Sequence, residues 1–341
     1  MPSLVNSSRP ETSLRSKIKF YKKRIAEIKN HLDKRPQEWG RFQSEFNQEI
    51  NGIFRDLMVF EKENVQRGDE NLVYKLKMFF IEWFRDDFVK GKYMKHSLAK
   101  PYGYAGDFEI IDMIYQNNPI SQGLDRLYDN YFQMSTICVA VRNRKEDFKR
   151  IIEKFVRERP GRALKIMDLA SGPCRDVFEL LSGPLAENQE VEFHCYDSDA
   201  KALQYARQFL KKNVNVKFYE QNAVRIALMK DVQSKINHTY DLIYSTGLFD
   251  YLDYRVSSRL VSNLKNLLNA NGVLAIADVH EKFSNPSIYF MEWAADWYLI
   301  YRPADEFRQI FLDAGFVRQA LNFQFEQQGI MQYVIAAKNG R

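Results

Sequence analysis

One segment constrains this chain more than any other: Leu164-Lys-Ile-Met-Asp168-Leu-Ala-Ser-Gly172-Pro-Cys-Arg175. A short apolar run ends in an acid, then passes through a turn of small residues into a helical pattern. That order describes a buried parallel strand whose carboxyl end meets a ligand, since such strands are covered on both faces and open at their edge. The ligand implied is of nucleotide type. Dinucleotide turns use three glycines so that the backbone can approach a pyrophosphate at a helix N-terminus. Here Gly172 stands alone, with Ala170 and Cys174 where further glycines would be expected. The turn suits a nucleoside without phosphates better than a dinucleotide.

Downstream residues repeat the theme. Residues 190–197 read as a second strand ending in Asp197, placed to hydrogen-bond two ribose hydroxyls. Ser198 and Asp199 then open a helix carrying Ala202, Leu203, Tyr205, Ala206 and Leu210 at helical spacing. Residues 215–223 read as a third strand, ending at Asn222, whose amide can face an adenine edge beside Ala223. A fourth strand covers 240–247 and closes on Ser245-Thr246-Gly247, and a fifth covers 272–278 after an Asn271-Gly272 turn. Residues 303–316 read as a helix with a glycine C-cap at Gly315. Strands near 321–325 and 332–337 would form an antiparallel hairpin closing the sheet.

Over roughly residues 150–341 this series resembles the class I S-adenosyl-L-methionine-dependent methyltransferases. The resemblance implies an α/β fold, a seven-stranded Rossmann-like sheet, and S-adenosyl-L-methionine as cofactor. It implies that Asp168 and the turn Ala170, Ser171, Gly172, Pro173 position the methionine part. Asp197 with Ser198 would hold the ribose, Asn222 with Ala223 the adenine, and Ser245, Thr246 and Gly247 would border the same ligand. Ala170 and Cys174 depart from the family's glycines, Asn222 from a common aspartate, and Asn271-Gly272 from a frequent Gly-Gly. The competing reading is an NAD-binding or generic α/β domain, which rarely ends in such a hairpin.

A chain of 341 residues is long for one core, so two parts are expected. We read 1–12 as a disordered N-terminus, 13–150 as an all-helical cap and 151–341 as the ligand-binding domain. Stripes at Phe46, Ile50, Ile53, Phe54, Leu57, Phe60 and at Leu76, Phe79, Phe80, Trp83, Phe84, Phe88 follow the helical period and suit core packing. Residues 1–35 hold ten Lys/Arg against three Asp/Glu, more than the whole +6 of the chain. On a helix over 13–33, Ile18, Tyr21, Ile25, Ile28 and Leu32 share one face and the basic residues the other. Either that face is solvated while the apolar stripe docks, or it meets nucleic acid or an anionic membrane. Aromatic residues are not interleaved with the charges as base stacking would require. The three cysteines, Cys138, Cys174 and Cys195, are scattered and odd in number, which argues for a reducing compartment. No His/Cys spacing suggests a metal site, and no run is apolar enough for a signal peptide or a membrane span. The expected location is cytoplasmic.

One segment interrupts the helical pattern: residues 96–107, with Pro101, Tyr102, Gly103, Tyr104, Gly106 and Asp107. Its shape suits ligand contact, with tyrosine faces toward a sulfonium, or an inter-helix turn in which Asp107 caps the next helix. Lys-Pro-Tyr-Gly-Tyr-Ala-Gly-Asp-Phe-Glu followed by Ile-Ile-Asp-Met-Ile-Tyr115 resembles a signature in one bacterial methyltransferase group. That group includes enzymes credited with making 3-hydroxypalmitic acid methyl ester, the quorum-sensing extracellular factor. The resemblance implies methyl transfer to a fatty-acid carboxyl group or a related small acid. A carboxylic acid ordinarily ionises at a pH of about 4, so its carboxylate needs no general base at neutral pH. Tyr102, Tyr104 and Asp107 are therefore candidates to close the site, with His280 as a base for acceptors of higher pKa. Arg142 and Arg144 could pair with the methionine carboxylate. Phe249, Tyr251 and Tyr254 follow the fourth strand. The aromatic insert with Tyr289, Trp293 and Trp297 could line an apolar acyl pocket, pack as a helix on the helical cap, or form a homodimer contact. Rival functions are RNA methylation through the basic helix and a catalytically silent scaffold.

Overall fold

The computed structural model describes Leu4, residues 10–188 and residues 190–339. The chain divides into two compact units. One comprises residues up to Val139 together with Lys282–Tyr298; the other comprises Ala140–Glu281 and Leu299–Arg341.

The first unit is helical: α1 (Pro10–Leu32), α2 (Gln43–Gln66), α3 (Glu70–Trp83), α4 (Arg85–Phe88), α5 (Gly91–Ala99), α6 (Phe108–Gln116) and α7 (Gly123–Met134). Aromatic rings supply its core. Tyr21 stacks on Phe88 at 5.0 Å, Phe46 meets Tyr128 edge-on at 4.8 Å, and Phe54 meets Phe88 at 5.3 Å. Ile18, Tyr21, Ile28 and Leu32 of α1 are buried, with Ile25 half-buried, so the stripe docks. Several of the basic residues find carboxylates within the same unit. Lys22 pairs with Asp87 at 3.0 Å, Arg24 with Glu27 at 2.8 Å, Lys29 with Asp33 at 2.6 Å, and Lys17 with Asp56.

The second unit begins within α8 (Thr136–Arg157) and runs β1 (Leu164–Leu169), α9 (Arg175–Leu181), β2 (Val191–Asp197), α10 (Ala200–Leu210), β3 (Val216–Glu220), α11 (Ala223–Leu228), α12 (Val232–Lys235), β4 (Tyr240–Ser245), α13 (Tyr254–Leu267) and β5 (Leu268–Val279). After the excursion containing α14 (Pro286–Tyr289) come α15 (Ala304–Asp313), β6 (Leu321–Phe325) and β7 (Met331–Ala337). The seven strands lie in the order β3-β2-β1-β4-β5-β7-β6. β1 pairs in parallel with β2 on one side and β4 on the other, so the strand order reverses between β1 and β4. At such a switch point the helices diverge and leave a crevice at the carboxyl ends. β7 is antiparallel to β5 and β6, which makes the expected closing hairpin. Gly315, at φ +87, ends the turn after α15 as expected of a C-terminal glycine.

Three expectations need correction. Pro10–Thr12 are helical rather than disordered; of the rest of 1–12, all but Leu4 lies outside the described residues. The two compact units divide at Val139/Ala140 rather than at 150/151, and both positions lie inside the single helix α8. Asn271-Gly272 is not a turn before β5 but lies inside it, where the β4 pairing shifts register between Tyr240 and Leu242. Gly272 is required there: a Cβ would sit 3.0 Å from the Tyr240 carbonyl oxygen.

Candidate cofactor site at the carboxyl edge of the sheet

The turn after β1 is built from alternating left-handed residues. Ala170 (φ 56), Gly172 (φ 51) and Cys174 (φ 49) all lie in that region. For a residue with a Cβ the conformation costs about 1–2 kcal/mol, which explains why glycine would be expected at all three. The chain keeps the backbone and bears the cost at two of them. Hydrogen bonds strap the turn to the end of β2: Ser171 N donates to the Tyr196 carbonyl at 3.0 Å and Gly172 N to Asp197 Oδ2 at 2.8 Å. Asp197 Oδ1 accepts from Asp199 N at 2.8 Å.

Three acids converge here with no ion pair among the described residues: buried Asp168 and Asp176, and half-buried Asp197. Loss of hydration pushes the carboxyl pKa upward in all three; for Asp168 the neighbouring Asp176 adds to it. The Tyr244 hydroxyl donates to Asp176 Oδ2 at 2.8 Å and partly opposes the shift. Asp168 Oδ2 and Ser171 Oγ are buried without a hydrogen-bond partner. Orphaned buried polar atoms are uncommon, and a ligand would complete them.

The other side of the crevice is formed after β4. Ser245 Oγ donates to the Leu169 carbonyl at 2.7 Å, tying β4 to β1. Thr246 and Gly247 are half-buried. Arg144 is 4% exposed; its Nη2 lies 3.2 Å from where a Gly247 Cβ would sit, so glycine makes room for the guanidinium. Its Nη1 reaches Asp250 Oδ2 at 3.4 Å. Asp250 Oδ1 accepts from Val279 N at 2.7 Å. Buried Arg302 donates to Asp278 Oδ1 and to the Phe249 carbonyl, both at 2.9 Å, and to the Leu252 carbonyl. This network fixes the segment after β4 to the end of β5. Sequence reasoning missed Asp250, Asp278 and Arg302, because no linear spacing links them.

Other expected site residues fall differently. Asn222 Oδ1 caps α11, accepting from Val224 N at 2.8 Å and Arg225 N at 3.3 Å, so its carbonyl is committed and its NH2 remains for a ligand. Ser198 is exposed, while Pro173 and Ala223 are buried and Arg142 is half-buried. Phe249 belongs to the core between the sheet and α13/α15 and does not line an open crevice. Tyr254 donates to Asp313 Oδ2 at 2.6 Å on the outer helical layer, while Tyr251 is 40% exposed. The His280 ring packs edge-on against Phe325 at 4.9 Å.

Tyr102, Tyr104, Asp107, Tyr289, Trp293 and Trp297 lie in the helical unit. Asp107 is the N-cap of α6, accepting from Glu109 N and Ile110 N, and it holds His96 Nε2 at 2.9 Å. Those bonds commit it to the structural role. Tyr102 donates to Glu109 Oε2 at 2.9 Å, and Tyr104 is 39% exposed. The aromatic insert packs as core: Phe290 meets Phe54 at 5.3 Å and Trp293 meets Phe80 at 5.7 Å. Tyr289, Trp293 and Trp297 are buried. Of the three readings offered for the insert, helix packing is the one the geometry shows.

No curated protein matches the chain. Among solved structures, it is similar to a "possible exported protein" of Bordetella parapertussis, at 17% identity and a TM-score of 0.55, covering 76% of this chain and 95% of that one. It is also similar to the magnesium protoporphyrin IX methyltransferase of Synechocystis solved with bound S-adenosylmethionine, at 15% identity and a TM-score of 0.42, covering 60% and 85%. A third is an O-methyltransferase family protein of Burkholderia thailandensis, at 16% identity and a TM-score of 0.42, covering 61% and 62%. At its identity the first of these likenesses bears on fold alone. A family model described as a methyltransferase domain matches residues 160–332. With just over half of its length matched, the chain belongs to the methyltransferase domain family.

Proposed function

We propose that the chain transfers a methyl group from S-adenosyl-L-methionine to a small acidic acceptor, with the carboxyl group of a 3-hydroxy fatty acid as the first candidate. The observation that carries the cofactor is the crowded acid trio Asp168, Asp176 and Asp197, beside the orphaned Asp168 Oδ2 and Ser171 Oγ. A dinucleotide would bring two phosphates against three carboxylates. A sulfonium nucleoside with an α-ammonium brings cations, which such a pocket favours. The bound cofactor supplies an electrophilic methyl group on cationic sulfur.

This chain's own residues then hold and orient. Asp168 and Ser171 offer unfilled hydrogen-bonding capacity to the methionine part. Asp197 keeps spare lone pairs for ribose hydroxyls while accepting two backbone N–H bonds. Arg144 and Arg142 offer cations to the methionine carboxylate. Alignment is the main task, because in-line displacement from a good leaving group gains most from orientation. An ionised carboxylate acceptor asks for no general base, which agrees with His280 packing against Phe325. RNA methylation through α1 is the weaker reading, since Lys17, Lys22, Arg24 and Lys29 already pair with carboxylates.

Calorimetry with S-adenosyl-L-methionine and with NAD tests the cofactor. The methionine nucleoside should bind, Asp197→Ala should weaken it at least tenfold with the circular dichroism unchanged, and NAD should not bind. NAD binding in its place would reject the proposal. Methyl-labelled cofactor offered with a panel of fatty acids, amines and RNA then tests the acceptor. Label in the acid fraction is expected; label confined to amines or RNA would reject the carboxyl assignment.

A further inference from the structure

We propose that the sheet edge also holds a soft divalent metal ion of the zinc or cadmium class, ligated by Asp168, Cys174 and Cys195. These residues are separated in sequence, and the fold alone unites them. The β1/β2 register sets Cys195 directly opposite Asp168, and the left-handed turn returns Cys174 to the same place. One carboxylate oxygen and the two sulfurs all lie within 4.8 Å of one another, and all three residues are buried. Asp168 Oδ2 has no hydrogen-bond partner, and Cys174 Sγ has a 3.9 Å contact with the Gly172 carbonyl. Asp176 and Asp197 add negative charge nearby, and no lysine or arginine pairs with Asp168 among the described residues. A dication would answer that charge.

The donor set selects the ion. Tetrahedral zinc with Zn–S of about 2.3 Å places sulfurs about 3.8 Å apart, so bringing the sulfurs of the present set together takes a shift of at most about 1 Å. Two thiolates favour zinc or cadmium over magnesium or calcium, which prefer oxygen ligands. Three protein ligands leave a fourth position open. Binding is balanced by the release of one proton from each thiol to solvent as two metal–sulfur bonds form. The site shares Asp168 with the methyl-transfer reading, so the metal and the methionine part of the cofactor would compete for that carboxylate.

Cadmium added to the reduced, chelator-treated full chain tests it through the ultraviolet thiolate-to-cadmium charge-transfer band. The expected result is a band saturating at one ion per chain, lost in Cys174→Gly and in Cys195→Ser, kept in Cys138→Ser and undisturbed by a hundredfold excess of magnesium. Cys174→Gly suits the left-handed backbone, so loss of the band there cannot be ascribed to misfolding, and circular dichroism checks Cys195→Ser. No band in the wild-type chain, or a band that survives Cys174→Gly, would overturn the site. Cofactor calorimetry on the chelator-treated, metal-free chain separates the two proposals, because failure of the nucleoside to bind there rejects only the earlier one, whatever cadmium does.

Discussion

Arg302 offers the sharpest test of how the crevice is held. It is 1% exposed, pairs with Asp278 at 2.9 Å, and donates to the carbonyls of Phe249 and Leu252. Arg302→Met keeps most of the apolar stem but strands Asp278, which is fully buried and is left beside the Asp250 carboxyl with Gln332 at a marginal 3.5 Å. Removing one partner of a buried ion pair costs about 3–5 kcal/mol, since the other charge is left uncompensated. Two carbonyls also lose a donor, at about 1 kcal/mol each, with some overlap. We therefore expect a loss of about 4–6 kcal/mol, a large part of the roughly 5–15 kcal/mol a domain has. At about 2–4 °C per kcal/mol for a unit of this size, the melting temperature should fall by at least ~8 °C. Urea denaturation of Arg302→Met, Asp278→Asn and the double variant completes a cycle. Asp278→Asn should cost far less once Arg302 is gone, giving a coupling energy of about 2 kcal/mol or more. A single-variant loss below about 1 kcal/mol, or additivity within about 0.5 kcal/mol, would refute the claim that this pair anchors the segment after β4.

Trp293→Ala should destabilise the chain by about 3–5 kcal/mol in thermal or urea unfolding, as expected for a fully buried aromatic packed on Phe80. A loss under about 1 kcal/mol with a raised KM would return it to a substrate pocket. Tyr104→Ala removes a residue 39% exposed, so it should change the melting temperature little, and a several-fold loss of turnover beside that is what the expectation that the 100–107 loop closes the site requires. A thermal effect without a kinetic one would leave the 100–107 loop a structural turn. Burial holds the His194 ring neutral, with its pKa lowered from 6.5 to about 4 despite the Glu192 carboxylate beside it. The unfolded chain therefore binds the extra proton first. Stability should be lost as pH falls from about 6.5 toward 4, by about 3 kcal/mol at most, and His194→Gln should flatten that limb. An unchanged acid limb in the variant would reject the assignment.

The strands were legible because the buried parallel ones are apolar runs with a polar residue at or next to the carboxyl end: Asp168 in β1, Asp197 in β2, Ser245 in β4 and Asp278 in β5. β1 keeps five of six positions buried, and β6 falls on the expected residues. The 282–298 insert was legible as aromatic, with packing on the helical unit as one of three readings; composition says that a segment is buried without saying in which core. Asn222 stands directly ahead of a helical run, which is the sequence pattern of an N-cap, and its side-chain carbonyl takes that role at α11. The Arg144–Asp250 and Arg302–Asp278 contacts span 106 and 24 residues, and no periodicity reaches that far. Cys174 shows the converse: the residue departs from glycine, yet the backbone angle that glycine would serve is kept.

That retained backbone and the acid trio together bear on the proposed reaction. A left-handed turn with non-glycine residues and three crowded carboxyls both raise the free energy of the ligand-free chain. A ligand that neutralises the carboxyls recovers part of it, so binding and folding are linked, and stabilisation grows with ligand concentration over Kd. The sulfonium of S-adenosyl-L-methionine carries a charge that its thioether product lacks. On this reading the product loses one electrostatic contribution at the moment of transfer, while its ribose and adenine contacts stay the same. The substrate form should therefore raise the melting temperature more than the product form at equal concentration. Asp168→Asn should narrow that difference. An equal or greater shift with the product would mean that the acid trio does not sense the sulfonium.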